Sequence, residues 1–299
     1  MSILVVGSVA LDTVETPFGK RREVLGGSAT FFSIAASFFD KVDVIATVGE
    51  DFPEKYIKLL KARNIGTEGL TTKKGKTFRW EGRYEYDLNV AKTLATHLNV
   101  FKDFRPQIPC DLRNNEFVFL ANIDPDLQDT VLCQVSGPRL IACDSMNHWI
   151  KNKRRSLEKF LHKVDIFLLN DAEARQFSGE VNLIKAARAI VAGGVKAVVI
   201  KKGEHGVLYY SKKSHFLAPA YPLDNVYDPT GAGDTFAGGM IGYLGKTSRL
   251  DDASIRKAIV YGSIMASFAV EDFSVNKLLK ISGGDINKRY NAFRRMTKF

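Results

Sequence analysis

The chain has 299 residues, 45% of them hydrophobic and 25% charged, the composition of an ordinary soluble globular protein able to bury one large core or two modest ones. Its longest apolar runs, such as Phe117-Val118-Phe119-Leu120-Ala121, are far too short to span a bilayer, and Ile3-Leu4-Val5-Val6 lacks a signal peptide's basic flank and length, so a cytoplasmic protein with no membrane partner is expected. The net charge of +10 favours encounter with polyanions, but the basic clusters Lys151-Asn152-Lys153-Arg154-Arg155 and Arg294-Arg295 read as solvated helix faces with no recognition module, so nucleic acid is not an expected partner.

Along the chain, strands alternate with helices. Ile3 to Val9 reads as a buried strand, Ser28 to Phe39 as a helix, Val42 to Val48 as a strand, and Pro53 to Arg63 as a helix opened by proline. Phe117 to Ala121 (strand), Asp126 to Gln134 (helix), Leu140 to Cys143 (strand), Trp149 to Leu161 (helix) and Ile166 to Leu169 (strand) continue the pattern. Leu183 to Ala192 (helix), Ala197 to Ile200 (strand) and the short strands Val207 to Tyr210 and His215 to Ala218 follow, and from Asp234 the chain is mostly helical. This alternation argues an α/β fold with a largely parallel sheet and helices on both faces. Ligands of such sheets sit beyond the carboxyl ends of the strands, where Gly7-Ser8, Asn122, Asp144, Asn170 and Lys201-Lys202 fall.

Two segments depart from the pattern and alternate with period two: Thr13 to Val24, and Thr77 to Asn89 with Phe78, Trp80, Tyr84 and Tyr86. They suit a small sheet covering a site; the alternative is that the aromatics only anchor a β excursion or a subunit contact. Cys110, Cys133 and Cys143 are odd in number and widely spaced, without C-x-x-C, so buried free thiols are expected rather than a disulfide framework or a zinc site.

The most telling stretch is Tyr227-Asp228-Pro229-Thr230-Gly231-Ala232-Gly233-Asp234-Thr235-Phe236, which joins a small-residue turn to an apolar helix with one carboxylate at the junction. A helix N-terminus offers unpaired N–H groups and the positive end of the macrodipole, and glycines let backbone approach an anion closely. That is the chemistry of a phosphate site, although a Gly-rich loop with Asp as N-cap is the bland alternative. Gly75-Lys76-Thr77 and Gly245-Lys246-Thr247 look like the ends of P-loops, but Leu70 and Met240 stand where that motif needs glycine.

With no gap, Asp228 to Phe236 match the C-terminal signature of the PfkB or ribokinase-like sugar and nucleoside kinases, and the chain resembles that family. Gly26-Gly27, Asn170-Asp171-Ala172-Glu173 and Lys202-Gly203-Glu204-His205-Gly206 fall in the family's order, so the resemblance covers about residues 3 to 275. It implies a single three-layer ribokinase-like domain over 1–299, with a small β lid drawn from about 12–25 and 75–100 that also serves as a homodimer contact. It further implies an ATP-dependent kinase using Mg2+, in which Asp234 is the base for a primary hydroxyl and the amides of Gly231, Ala232 and Gly233 form the anion hole.

By the same resemblance Asp12, Gly26 and Gly27 bind the acceptor, Asn170, Glu173, Lys202, Gly203 and Gly206 lie on the ATP side, and Glu173 orders the water shell of Mg2+. Lys202 would offset phosphate charge, and Ala258 to Phe273 resembles the wall of the adenine pocket. A monovalent cation (K+) near Asp228 is known in parts of the family. The chain departs from the sugar kinases at Phe31, where they carry a sugar-binding Asn; an apolar wall there, with Trp80, Tyr84 and Tyr86 over the site, tilts the expected acceptor from a bare sugar toward a nucleoside. The helix N-terminus is expected to lower the pKa of Asp234 and make it a weak base. A non-catalytic, ligand-binding relative would be expected to have lost Gly231, Gly233 or Asp234, and all three are present.

Overall fold

In the computed structural model, which describes residues 2–298, the apolar runs become strands of one large sheet. The strands are β1 (Ser2–Val6), β2 (Ala10–Thr16), β3 (Gly19–Gly26), β4 (Lys41–Gly49), β5 (Ile65–Lys73), β6 (Arg79–Tyr84), β7 (Ala91–His97), β8 (Phe117–Leu120), β9 (Leu140–Asp144), β10 (Ile166–Asn170), β11 (Ala197–Lys201), β12 (Val207–Ser211) and β13 (His215–Ala218). The helices are α1 (Ser28–Ala36), α2 (Glu54–Ala62), α3 (Pro125–Leu132), α4 (Asn147–Asn152), α5 (Arg154–Leu161), α6 (Asp171–Ser178), α7 (Leu183–Ala192), α8 (Ala232–Thr247), α9 (Asp252–Ala269), α10 (Asn276–Lys280) and α11 (Gly283–Met296).

Nine strands form the large sheet in the order β13-β12-β11-β10-β9-β8-β1-β4-β5. All neighbours from β11 to β5 pair in parallel, and β12 and β13 add an antiparallel edge. Alternate strand residues feed two separate cores. Ile3, Val5, Phe117, Phe119, Ala142, Leu168 and Val199 pack under α1, α8 and α9, whereas Leu4, Val6, Val118, Leu120, Phe167, Leu169 and Val198 pack against α3 to α7. Helix, sheet and helix therefore make three layers, the ribokinase-like arrangement that the resemblance implied. The chain runs outward from β1 to β4 and β5, then returns to β8 on the other side, so the topological switch lies between β1 and β8, above Gly7 and Ala121.

The two period-two segments pair with each other as β3, β2 and β6, and β7, which follows the second segment, completes a four-stranded sheet in the order β3-β2-β6-β7. Strands β2 and β6 run parallel, with Asp12 opposite Trp80, and the outer pairs are antiparallel.

Three details differ from the sequence-based expectation. The helix expected over Trp149 to Leu161 is broken at Lys153, which leaves helical geometry (φ −129°) and binds Asp124 and Asp126 with its ammonium. Strand β5 was not expected, because Gly66 and Gly69 interrupt its apolar pattern; a Cβ at Gly69 would stand 2.2 Å from Ile45 Cδ1, so the glycine permits close approach at a bulge. Only Cys143 is a buried thiol, while Cys110 and Cys133 are exposed, the former on a short 3-10 turn and the latter at the end of α3. Among the described residues no helix is long and apolar enough to cross a membrane.

The rings of Phe32 and Phe119 stack with centroids 4.3 Å apart and planes 4° from parallel, joining α1 to β8 at the centre of the larger core. Phe32→Ala is expected to cost about 3–5 kcal/mol, measured as a lower urea midpoint at unchanged m-value.

Candidate active site

The site is built around the start of α8. Its N-cap, Gly231, is left-handed (φ 74°), and a Cβ there would stand 2.3 Å from the Phe31 ring, so both conformation and space demand glycine. The amide of Ala232 donates to Pro229 O at 3.1 Å, whereas those of Gly231 and Gly233 have no acceptor in the chain among the described residues. Helix α1 is treated oppositely: Ser8 Oγ accepts from the Ser28 amide (3.0 Å) and Ser8 O from the Ala29 amide (3.0 Å). Asp228, 1% exposed, braces the α8 turn from behind by accepting from the amides of Thr230 (2.9 Å) and Ser274 (3.0 Å). Both its oxygens are thereby engaged, and burial raises its pKa.

Four charged groups converge beside that turn. Asp144 ends β9, Asn170 ends β10 and Lys201 ends β11, all on the strand face that packs under α8, since Ala142, Leu168 and Val199 of the same parity belong to that core. Lys201 Nζ donates to Asp144 Oδ2 at 2.8 Å, with side chains 17% and 7% exposed. Glu173, in the first turn of α6, and Asp234, in the first turn of α8, complete the group. The Asp234 pKa is raised to about 7, first by burial and then by Asp144, while Lys201 and the residue's own amide pull it down. This reverses the expectation of a weak base: loss of hydration and a neighbouring carboxylate outweigh the helix N-terminus. Glu173 is raised for the same reasons, burial and then Asp144.

The acceptor-side residues lie across the turn. Asp12, 6% exposed on β2, accepts from the Gly27 amide (3.3 Å), and a Cβ on Gly26 would stand 1.9 Å from its Oδ2. Burial lifts its pKa to about 7, with Asp228 and Asp234 adding to the rise. Phe31, 2% exposed, belongs to the core and lays its ring against Gly231. Trp80 and Tyr84 share one face of β6; the indole lies over Gly82 and donates to Thr93 Oγ1, and Tyr84 Oη accepts from Thr230 Oγ1 at 3.3 Å. Burial and the carboxylates of Asp228, Asp12 and Asp234 raise the Tyr84 pKa, which puts this phenol among them. Tyr86 does not arch over the site; it is 94% exposed, because the chain has left β6 before reaching it. A second tie runs from Phe18, at the β2–β3 turn, edge-on to Tyr227 at 5.4 Å.

On the other side, Asn170 and Glu173 form a reciprocal capping box, each side chain accepting the other's amide at 2.8 Å. Lys202 follows the last residue of β11 and caps the 3-10 turn Gly203–His205, and its amide donates to Gly206 O at 2.8 Å. Gly206 (φ 84°) is needed where a Cβ would meet Ala218 O at 2.1 Å, and a Cβ on Gly203 would stand 2.8 Å from Asn89 Oδ1 of the small-sheet loop. The segment Ala258 to Phe273 is largely buried, with Met265 packed against Gly239 of α8. Lys201 and Asp144 were placed at strand ends from sequence but given no role; counting parity back from the buried Val199 and Ala142 would have singled them out.

Residues 2–281 match the profile of the pfkB family carbohydrate kinase. The chain belongs to the pfkB family. A cytidine kinase of Thermococcus kodakarensis is 30% identical over 247 residues, 81% of this chain and 87% of that protein. Two solved structures share the fold: the Burkholderia thailandensis nucleoside kinase in complex with inosine (TM-score 0.78, 18% identity, 97% of each chain) and the Vibrio cholerae fructokinase bound to fructose, ADP and calcium (TM-score 0.77, 15% identity, 97% of this chain and 98% of that one). As a pfkB kinase the chain is a phosphotransferase, and its carboxylate-rich centre faces the unpaired amides of α8.

Because the folded Asp234 binds its proton more tightly than the unfolded one, it favours folding fully below pH 4 and ceases to do so as pH rises through about 7. The ligand-free protein should therefore lose melting temperature between pH 5 and pH 8, and Asp234→Asn should flatten that slope and melt a few degrees above wild type at pH 8, as read by calorimetry.

Proposed function

We propose that this pfkB kinase transfers the γ-phosphoryl group of Mg-ATP to a primary hydroxyl of a nucleoside. The observation that carries the reading is the first turn of α8, where a carboxylate with a pKa of about 7 and the unengaged amides of Gly231 and Gly233 stand within one helical turn. In the reaction the acceptor oxygen bonds to the γ-phosphorus, the bond from that phosphorus to the β,γ-bridging oxygen breaks, the hydroxyl proton passes to Asp234 and ADP leaves. Gly231 and Gly233 amides, with the dipole of α8, stabilise charge on the transferring oxygens; Ala232 keeps the turn closed through Pro229.

The residues suit Mg2+. Among the described residues no three acids stand close enough to hold a bare ion, yet Asp144, Glu173 and Asp234 leave an excess of negative charge beside one ammonium. Glu173 would hold such an ion through water, and the ion would supply charge neutralisation on the phosphates. Asp228, with both oxygens engaged by amides, acts in this reading as a brace, with any K+ nearby a secondary matter.

Asp12 accepts hydrogen bonds from hydroxyls of the acceptor, with Gly26 leaving it room and the Gly27 amide holding it, and the small sheet is the lid, its outer strand offering a homodimer contact. A nucleoside is favoured because Trp80 and Tyr84 line the face that carries Asp12, where a base can stack. A sugar is the second reading, favoured by Phe31, whose ring is taken up against Gly231 and so is not free to stack.

A coupled ADP-release assay with Mg-ATP against nucleosides, ribose and fructose separates the two, and Asp234→Asn is expected to lower turnover by about 10²–10⁴-fold while remaining folded. Wild-type-like turnover in that variant would remove Asp234 as the base. With wild type, kcat/KM should fall on an acid limb near pH 7 rather than near pH 4, since only ionised Asp234 takes the proton.

A further inference from the structure

We propose that Lys201 is the phosphate-binding cation of this site, held ready by Asp144 and transferred to the γ-phosphoryl oxygens when the nucleotide arrives. The inference rests on the kinase reading above.

Three observations carry it. First, Lys201 runs alongside the first turn of α8: a Cβ on Gly233 would stand 2.9 Å from Nζ, 3.6 Å from Cε and 3.8 Å from Cδ. Gly233 thus has a purpose besides its amide, since a side chain there would crowd the ammonium and make it shift. Second, an ammonium has three donors, and the structure shows one engaged, on Asp144 Oδ2 at 2.8 Å. The side chain is only 17% exposed, and donors left without acceptors at such depth are costly unless a ligand supplies them. Third, the residue that Nζ approaches, Gly233, has an amide with no acceptor among the described residues, so an ammonium and an open N–H belong to the same turn.

Asp144 is a positioning residue. Its Oδ1 accepts from the Ser145 amide at 2.7 Å, which fixes the carboxylate and leaves Oδ2 for Lys201. Of the two adjacent lysines only Lys201 lies on β11, with the strand parity to face α8; Lys202 has already left the strand for the turn at Gly203–His205. An ammonium on a flexible stem suits this task, because it can leave one carboxylate for a phosphate a short distance away without moving backbone.

The competing explanation is a buried ion pair that merely bolts β9 to β11 across β10. Affinity separates the two. Dissociation constants for ADP and for β,γ-methylene-ATP would be measured by calorimetry with Mg2+ on wild type, Lys201→Met and the double variant Lys201→Met/Asp144→Leu. The double variant replaces the pair with apolar groups of similar volume and keeps the fold testable if the single variant unfolds. Loss of about 10–100-fold for the ATP analogue, with ADP within about threefold of wild type, is the expected result in whichever variant folds. Equal losses for both nucleotides, or none for either, would reduce Lys201 to a structural bolt and overturn the inference alone. If wild type itself bound neither nucleotide, the kinase reading would fail and take this inference with it.

Discussion

The whole site follows from one electrostatic constraint: more negative charge than positive is kept out of water at the carboxyl edge of a rigid sheet. Asp144, Glu173 and Asp234 share one ammonium, that of Lys201, while Asp228 stands near enough to raise the pKa of Asp12, and both raise that of Tyr84. Left alone, such a cluster relaxes by taking up protons or by moving apart. Strand register fixes Asp144 and Lys201, and the first turns of α6 and α8 fix Glu173 and Asp234, so protons are taken up more readily and the pKa of Glu173 and of Asp234 rises to about 7. The local instability is inseparable from the chemistry, a familiar compromise at functional sites.

Two helices of the same layer show how selectively that constraint is applied. Both α1 and α8 begin with glycine N-caps at positive φ, yet α1 has its first amides satisfied by Ser8 and α8 leaves Gly231 and Gly233 open. The Asp228 brace holds the open turn in place without covering it. Phe31 performs the matching task from α1, filling the space that a side chain at 231 would occupy.

Much of this was legible in the sequence. The β-α alternation sufficed for the layered sheet, because buried parallel strands must be apolar runs, and the small residues of the 228–236 stretch beside a carboxylate marked the turn that opens α8. What escaped has common physical causes. Strand β5 is written in glycines that serve close approach, which periodicity does not register. The break at Lys153 depends on Asp124 and Asp126, more than twenty residues earlier, and so is invisible to a local window. The sign of the Asp234 shift was misjudged because helix polarity is a local signal whereas burial and Asp144 are tertiary ones. Lys201 was within reach of parity alone, and Tyr86 failed because alternation was extended past the end of β6.

Asp12 lies on β2, a strand of the small sheet, while Asp234 begins a helix of the large domain. In the proposed reading the two carboxylates that grip the acceptor are thus carried by different bodies, linked in the chain by Gly7-Ser8-Val9 on one side and Gly27 on the other. An acceptor with hydroxyls for both is then itself the tie-rod that sets the angle between the sheets. In that reading a water satisfies one carboxylate without tying the two bodies together, so the acceptor's own hydroxyl spacing is checked before any phosphoryl group moves.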